Sequence, residues 1–581
     1  MALGTPSESP AVVVKEVDLT SGVPNVQSST GAFVGNFRWG PAQQVTLISN
    51  EEELAETFGS PDNTANHDID FISATQFLRY SNSLQVVREV TSAAGNAVHA
   101  AGQTNALSLP AVDVKNKAAF DNQLSTLDTA KHTFIGRVPG ALGNSLSVAV
   151  WDSSDMSGWA YVAEFDAAPG TSSYVSARGG SNDEMHLVIV DSDGAFTGTS
   201  GTILERYAFV SKASDAKNTD GSTNYIKDII NERSEYIHMV DFDSDFQAAG
   251  AGTTVTNGEN FARTIRAAEK YNLTNGTNSA ALGTAEVAAG FDLFEDKDNV
   301  EVDFLIAPGM GSTGDQTTVV NDLISTAGST RKDCVVVTSP ARDDVVNLTN
   351  AATITTNITT TAATFTKSSY LVMDGNYLKV FDKFNDQFIE VPAASSTAGI
   401  MAATDRNAAP WFSPAGGRRG QYLGVTGVNY SPTKAQRDTL YKAGVNPVAN
   451  IPGQGLVLFG DKTGLGRPSA FDRINVRRLF LVLERAISRA AENVLFEFND
   501  EFTRAEFVNI VEPVLREVKG RRGITDFRVV CDESNNTAAV IDRNEFIASI
   551  FIKPARSINF ITLNFVAVRT GVEFEEVTGI V

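Results

Sequence analysis

Cysteine is nearly absent from this chain of 581 residues. Its two cysteines, Cys334 and Cys531, each lie in an apolar run, which predicts buried free thiols and excludes a disulfide framework. No apolar run approaches the length of a membrane span. The first residues, Met1 to Pro6, lack a basic segment and an apolar core, so they do not form a secretory signal. These absences predict a protein that folds in a reducing cytoplasm without membrane insertion.

Positive charge is also scarce, with 47 basic against 69 acidic residues and a net charge of −22. Phosphate binding needs a concentrated positive field, so nucleic acid is not expected as a direct partner. The imbalance is uneven along the chain. Residues 471–581 hold 15 basic and 17 acidic residues, whereas the rest holds 32 and 52. The C-terminal part is therefore close to neutral, and the acidity lies upstream.

Catalytic and metal-binding motifs are missing as well. There is no G-x-x-x-x-G-K-[ST] and no H-E-x-x-H, and the five histidines are scattered in unlike contexts. The run from Asp241 to Asp245 starts like a calcium loop, but Phe246 and Gly252 occupy the positions that need Gly and Glu. The sequence therefore predicts no catalytic residue, cofactor or metal, and no enzyme.

One glycine-rich motif leaves an alternative open. Gly309-Met310-Gly311-Ser312-Thr313-Gly314 fits G-x-G-x-x-G after an apparent strand, and Asp333 lies at a suitable distance for a dinucleotide site. Pro308 at the turn entry and the polar start of the next helix argue for a glycine-rich strand-to-helix turn instead. A dinucleotide-binding enzyme remains the unfavoured alternative.

The length exceeds one hydrophobic core, so several domains are expected. Residues 23–92 and 200–345 alternate strand and helix patterns, which predicts a discontinuous central α/β domain with a partly parallel sheet. Short alternating runs over 93–199 predict an inserted small all-β, barrel-like domain. Residues 346–410 are interpreted as a β-prone connection or subdomain, and the Thr-rich stretch 346–366 within them as β-prone or mobile. A helix capped by Ser431 with Pro432 at its first position is expected to end at Gly444.

A long amphipathic helix begins near Ile474. Val476, Leu479, Phe480 and Leu483 start its apolar stripe, which continues through Ile487, Ala490, Ala491 and Val494. Arg478, Arg485 and Arg489 fall opposite this stripe. The pattern fits a core helix with a solvated basic face, or a basic face that meets an acidic partner.

Two orphan strands lie at the chain ends. Pro10–Asp18 is an extended run with no neighbouring mate, and Val572 and Phe574 alternate with glutamates after Arg569-Thr570-Gly571. The multidomain α/β and α+β core is therefore expected to carry extended N- and C-terminal strand arms. Unpaired terminal strands suit exchange between neighbouring copies by strand addition.

Several runs resemble those of one family. They include Arg528-Val529-Val530-Cys531-Asp532-Glu533-Ser534-Asn535-Asn536-Thr537, Ile541-Asp542-Arg543-Asn544-Glu545-Phe546 and Lys553-Pro554-Ala555-Arg556-Ser557-Ile558-Asn559-Phe560. Upstream runs include Pro139-Gly140-Ala141-Leu142-Gly143-Asn144-Ser145-Leu146 and Trp411-Phe412-Ser413-Pro414-Ala415-Gly416-Gly417. Their order and spacing resemble contractile phage tail sheath proteins of T-even-type myophages. The likeness covers most of the chain and thins out over roughly 245–300 and 345–366.

The resemblance implies a structural subunit that polymerises as stacked hexameric rings around a tail tube. Contraction would drive the tube through the host envelope during genome delivery. Expected partners are other copies of the chain, the tube protein, and baseplate and tail terminator proteins, in the virion after assembly in the host cytoplasm. The sheath of a phage-derived contractile injection device is an alternative that the sequence cannot separate from a virion tail.

The resemblance also assigns roles to segments. It implies an N-terminal arm at 1–22, an outward position for 93–199, an inner, tube-facing C-terminal α/β domain at 411–569 and a C-terminal arm at 570–581. The arm residues are Val12, Val14, Val17, Val572, Phe574 and Val577. The receiving strand would contain Ile561, Leu563 and Phe565, and the candidate tube-facing residues are Arg478, Arg485 and Arg489.

Overall fold

The computed structural model describes residues 29–100, 112–129, 132–242, 250–262 and 270–557. These residues divide into two units. The larger unit contains the described residues from 29 to 410 together with Pro414–Ala486, and the smaller unit contains Trp411–Ser413 and 487–557.

The strands in chain order are β1 (Gly31–Gly35), β2 (Val45–Ile48), β3 (Leu84–Arg88), β4 (Val98–Ala100), β5 (His132–Gly136), β6 (Leu146–Trp151), β7 (Glu184–Asp191), β8 (Thr202–Ser211), β9 (Ile237–Met239), β10 (Lys270–Asn272), β11 (Phe304–Ile306), β12 (Val335–Thr338), β13 (Leu371–Asp374), β14 (Tyr377–Asp382), β15 (Gln387–Pro392), β16 (Gly427–Val428), β17 (Val445–Asn446), β18 (Val448–Ile451), β19 (Gly455–Leu458), β20 (Ile524–Val530) and β21 (Ser549–Pro554). The helices are α1 (Glu51–Phe58), α2 (Ala65–Leu78), α3 (Lys117–Thr129), α4 (Ser173–Ser176), α5 (Ile226–Arg233), α6 (Thr284–Asp292), α7 (Thr313–Ser325), α8 (Ala351–Thr364), α9 (Ala394–Asn407), α10 (Lys434–Lys442), α11 (Ile474–Glu492), α12 (Glu501–Gly520) and α13 (Ala538–Ile541).

A seven-stranded sheet forms the centre of the larger unit, in the order β17-β13-β12-β11-β1-β3-β2. All neighbouring pairs are parallel except β2 with β3. Parallel strands that are buried on both faces consist of continuous apolar residues, and Val335-Val336-Val337 in β12 is such a run. The partly parallel sheet expected from the alternation of strands and helices is confirmed.

Alternate residues of each strand enter separate cores on the two faces of this sheet. Val335 and Val337 lie in one core with residues of α2 and α9, while Val336 lies in the other with residues of α6, α7 and α8. The sheet contains strands from three predicted regions, namely the discontinuous central domain at 23–92 and 200–345, the connection at 346–410 and the C-terminal domain at 411–569. The predicted divisions at 346 and 411 therefore fall within one structural unit.

The predicted inserted domain extends beyond residue 199. β8 pairs with β7, β9 with β5, and β10 with β6, so strands up to Asn272 complete its two sheets. α3 and α5 pack with these sheets, so the region is not all-β. The predicted boundary at 199 is corrected, because it separates the antiparallel strands β7 and β8.

The region is joined to the rest of the larger unit by two adjacent chain segments. The Thr91 amide donates to the Ser279 hydroxyl at 2.9 Å, and the Ala280 amide donates to the Thr91 hydroxyl at 3.1 Å. Gly95 and Thr277 exchange two backbone hydrogen bonds. Residues 92–278 therefore leave and rejoin the central domain at one point.

The Thr-rich stretch 346–366 is helical where it was expected to be β-prone. The Asn350 side chain caps α8, and Ile354, Ile358 and Ala362 bury one stripe of it. Hydroxyl groups such as that of Thr355 donate to the carbonyl four residues earlier. Burial of this stripe overrides the low helix propensity of threonine.

Side-chain caps define two helix starts, and that of α10 differs from the prediction. The N-cap of α10 is Thr433, in a capping box with Gln436, and not Ser431. Asn50 caps α1 through the Glu53 amide, while the Ser49 amide donates to the Glu53 carboxylate. Both cysteines are buried and free, as expected.

Candidate inter-subunit surfaces

The smaller unit contains a two-stranded antiparallel sheet, β20 with β21. α12 packs against β20, and its buried side chains Phe507, Val511 and Leu515 follow a helical spacing of four. Asp500 caps the helix by accepting a hydrogen bond from the Thr503 amide at 2.8 Å. One helix and two strands are thereby joined around a small core.

A tryptophan from the distant segment Trp411–Ser413 holds the turn between α12 and β20. Its indole Nε1 donates to the Arg521 carbonyl at 3.1 Å, and the Arg521 guanidinium lies 5.1 Å from its ring. A Cβ at Gly523 would lie 2.9 Å from the Trp411 ring. Glycine is therefore required here for close approach of the turn to the indole.

Within the described residues, β20 and β21 pair only with each other, so no described strand pairs with the other edge of either strand. Such edges accept further strands. The predicted arm residues Val12, Val14, Val17, Val572, Phe574 and Val577 lie outside the described residues, as do Ile561, Leu563 and Phe565 of the predicted receiving strand. The arms therefore stay a prediction.

Arg478 does not lie on a solvated face. Its guanidinium is bonded to both carboxylate oxygens of Asp405 in α9, and the two side chains are only 5% and 3% exposed. It also donates to the Met401 carbonyl at 3.2 Å and lies 4.6 Å from the Phe304 ring. The prediction that Arg478 is a solvated, tube-facing residue is corrected, because its charge is neutralised inside the larger unit.

Arg485 is likewise engaged inside the larger unit. Its Nη1 lies 2.8 Å from a carboxylate oxygen of Asp303, and its Nη2 donates to the Asp333 carbonyl at 2.9 Å. Burial alone would lower the pKa of Arg485, but the negative charges of Asp303 and Asp333 outweigh this and raise it. Arg485 anchors α11 to the N-terminal ends of β11 and β12 and is not an outward charge.

Arg489 is half-buried near the C-terminal end of α11. The division between the two units falls just before it, after Ala486. Of the three arginines predicted to face the tube, Arg489 is the one for which that prediction is not contradicted. The helical wheel identified the apolar stripe, since Val476, Leu479 and Leu483 are buried, but it could not show that arginines opposite that stripe meet buried carboxylates.

The glycine-rich loop 309–314 connects β11 to α7. Ser312 caps α7 by accepting from the Asp315 amide, and the Met310 amide donates to the Gln316 side chain at 2.7 Å. A Cβ at Gly309 would lie 2.6 Å from the Tyr377 hydroxyl. The glycine is explained by packing, in agreement with the predicted strand-to-helix turn.

The described ranges contain no group of three or more His, Cys, Asp or Glu side chains suited to a metal ion. Across the same ranges, no helix has the length and apolar character that crossing a bilayer requires.

One exposed apolar surface was not predicted from the sequence. The loop from α11 to α12 exposes Leu495, Phe496 and Phe498, and the first turn of α12 exposes Phe502. The signal was the spacing Phe496-Glu497-Phe498, in which aromatic and acidic residues alternate without a strand partner.

Three family models match most of the chain outside 89–279. The phage tail sheath protein central domain matches residues 280–464, the phage tail sheath C-terminal domain matches 467–567, and the tail sheath protein domain III N-terminal region matches 29–88. The unmatched stretch corresponds closely to the region that leaves the central domain at Thr91 and rejoins it at Ser279.

Relatives match over nearly the full length. The chain is 33% identical to the tail sheath protein of Enterobacteria phage T4, with 98% of this chain and 99% of the relative covered. The tail sheath protein of Vibrio phage KVP40 is also 33% identical, with the same coverage. The tail sheath protein of Salmonella phage ViI is 30% identical, with 99% and 98% covered.

Solved structures show the same fold at low identity. The sheath tail protein of Listeria innocua has a TM-score of 0.53 at 11% identity, covering 91% of this chain and 96% of that one. The sheath tail protein of Desulfitobacterium hafniense has a TM-score of 0.51 at 13% identity, covering 94% and 100%.

The family models and the near-full-length relatives define a structural protein of the contractile-tail class. The chain belongs to the phage tail sheath protein family. It is a structural subunit of a contractile tail sheath and a component of the virion.

Proposed function

We propose that copies of this chain polymerise as stacked hexameric rings around the tail tube and contract to drive the tube through the host envelope. The observation that carries the proposal is the match to tail sheath proteins over 98% of the chain. The tube, baseplate and terminator proteins would be its partners, and assembly would take place in the host cytoplasm.

The arms would couple neighbouring subunits. Strands from 1–22 and 570–581 of other copies would add to the sheet of β20 and β21, and Ile561, Leu563 and Phe565 would belong to the receiving strand. The support is that β20 and β21 pair only with each other among the described residues. About four backbone hydrogen bonds per arm, at roughly 0.5–1.5 kcal/mol each, give about 2–6 kcal/mol per junction. Rigid units joined by strand connections can then rearrange without unfolding.

Residues 92–278 would lie on the outside of the sheath. Their support is that the chain leaves and rejoins the central domain at neighbouring residues, Thr91 and Ser279, and that the matched family models end at 88 and resume at 280. An insertion that leaves and rejoins at one point can vary without disturbing the domain that carries it.

Electron microscopy of the purified protein tests the proposal. We expect long hollow tubes with six-fold rings, and addition of tail tubes should yield sheaths of the length of the tube. Protein that stays monomeric at high concentration and does not coat tubes would contradict a sheath role. Absence of any binding in a nucleotide titration is expected in the same preparation, because the loop 309–314 serves as a packed turn.

A further inference from the structure

The loop between α11 and α12 presents an apolar surface that the smaller unit does not cover. Phe496 is fully exposed, and Phe498 and Phe502 are 83% and 78% exposed. A contiguous group of exposed aromatic side chains is unusual on a protein surface and marks an interaction site.

This loop is held in position. The Asn499 side chain donates to the Glu545 carbonyl at 2.8 Å, and the Arg504 guanidinium donates to the Asn499 side chain at 2.9 Å. Asp500, between Phe498 and Phe502, caps α12. The aromatic side chains therefore project from a fixed backbone.

The loop is also acidic. From Ala490 to Thr503 the chain has four acidic residues and no Lys or Arg. Glu497, Asp500 and Glu501 alternate with the three phenylalanines. A partner for this surface must combine apolar area with positive charge.

The exposed face of β20–β21 has that composition. Phe551 is 60% exposed and stands directly opposite the exposed Arg528 in the strand register. Lys553 and Lys519 both contact Asp526, and Asp532 lies near Arg528, so the patch has three basic groups against two acidic ones. Aromatic and basic groups thus occur together on a second patch of the same unit.

We propose that the acidic aromatic loop 495–502 of one subunit docks on the basic face around Phe551 of a second copy. Two different patches meet in such a contact, so it is heterologous and extends into rings or helical filaments. The proposal rests on the multi-copy assembly described above, but it adds a side-chain contact that is independent of strand exchange by the arms.

Charge reversal in the full-length chain tests this contact. One variant carries E497K and E501K, a second carries R528E and K553E, and a third carries all four changes. Sedimentation velocity over a concentration series should show self-association weakened roughly tenfold in each of the first two. The third variant should recover to within about threefold of the wild type, because the opposite charges face each other again.

Substitutions of the exposed phenylalanines provide a second, independent test. Phe498→Ser and Phe551→Ser should each weaken self-association, whereas Phe388→Ser, at an exposed aromatic residue of the larger unit, should not. Circular dichroism should be the same for all variants. Unchanged self-association after reversal, or no recovery in the four-fold variant, overturns the proposal.

The outcomes separate this contact from the sheath proposal. If the wild type forms tubes and the charge reversals do not change self-association, only the proposed loop contact is contradicted. Charge-sensitive self-association without tubes would instead contradict the sheath assembly. If the charge reversals impair only the coating of tail tubes and leave self-association intact, the loop binds the tube protein. The proposal that it binds a second copy of this chain is then wrong.

Discussion

The sheet of the larger unit and the sheet of the smaller unit differ in how complete they are. β1, β11, β12 and β13 are buried at every position and covered by helices on both faces. β20 and β21 are mostly exposed or half-buried and have only one partner each in the described chain. A pair of strands is marginal by itself, whereas a covered parallel sheet is self-sufficient. One sheet is therefore complete within the described residues, whereas the proposed arms would add strands to the other.

The largest expected effect is on the incomplete sheet. Deleting residues 1–20 or 571–581 should abolish polymerisation, because each deletion removes a strand that would complete β20–β21 in another copy. Electron microscopy should show no tubes, while circular dichroism and gel filtration should report a folded monomer. Tubes of full length from either truncated chain would show that the arms do not couple subunits.

A second prediction is that the central sheet of the larger unit folds without residues 92–278. Replacing residues 92–278 by a short linker should leave a soluble chain, because Thr91 and Ser279 are already in contact. Replacing only 93–199 should yield insoluble protein, because it removes β5, β6 and β7 and leaves β8, β9 and β10 without their partners. Soluble yield and circular dichroism provide the measurement.

The excised chain should also be moderately less stable than the full chain. Arg88 is fully buried and donates to three carbonyls, of which Pro139 belongs to the excised region. Equal solubility of the two deletions would contradict the corrected boundary.

A third prediction concerns the ion pair beneath α11. Arg478→Ala should lower the free energy of unfolding of the larger unit by about 3–5 kcal/mol, because Asp405 would remain buried without a partner. Arg516→Ala, in an exposed pair with Glu512, should cost less than about 1 kcal/mol. Denaturant unfolding measures both, and similar small values would mean that Arg478 is solvated after all.

A fourth prediction concerns the dependence of stability on pH. Asp374 ends β13 and is fully buried, which raises its pKa to about 7 although Ser339 and Thr397 hydroxyls donate to it. The unfolded group titrates near 4, so the folded state holds a proton that the unfolded state releases between about pH 4 and 7. Stability should therefore fall as pH rises through this window, by up to about 1.4 kcal/mol per pH unit.

Asp374→Asn should make this fall shallower, since the amide keeps the shape and accepts a hydrogen bond from one of the hydroxyls. Asp70, whose pKa burial also raises to about 7, should keep its own contribution. Unfolding midpoints at pH 5 and pH 7.5 compare the two proteins. An equally steep fall in the variant would assign the pH dependence to other groups.

The sequence determined those features that local pattern controls. The apolar stripe of α11, the all-apolar strand β12 and the two buried cysteines follow from side-chain type and period alone. The order of motifs along the chain also indicated the sheath family, because a family likeness is a property of the sequence itself.

Only the tertiary structure decided which charges face outward and which strands belong together. Asp405 and Asp303 lie 73 and 182 residues from their arginine partners, a distance that no local pattern spans. For the same reason β10 could not be assigned to β6, nor α8 recognised as a helix before its buried stripe had a sheet to pack on. A buried arginine and a solvated one have the same side chain, and only the groups that the fold brings around it determine which it is.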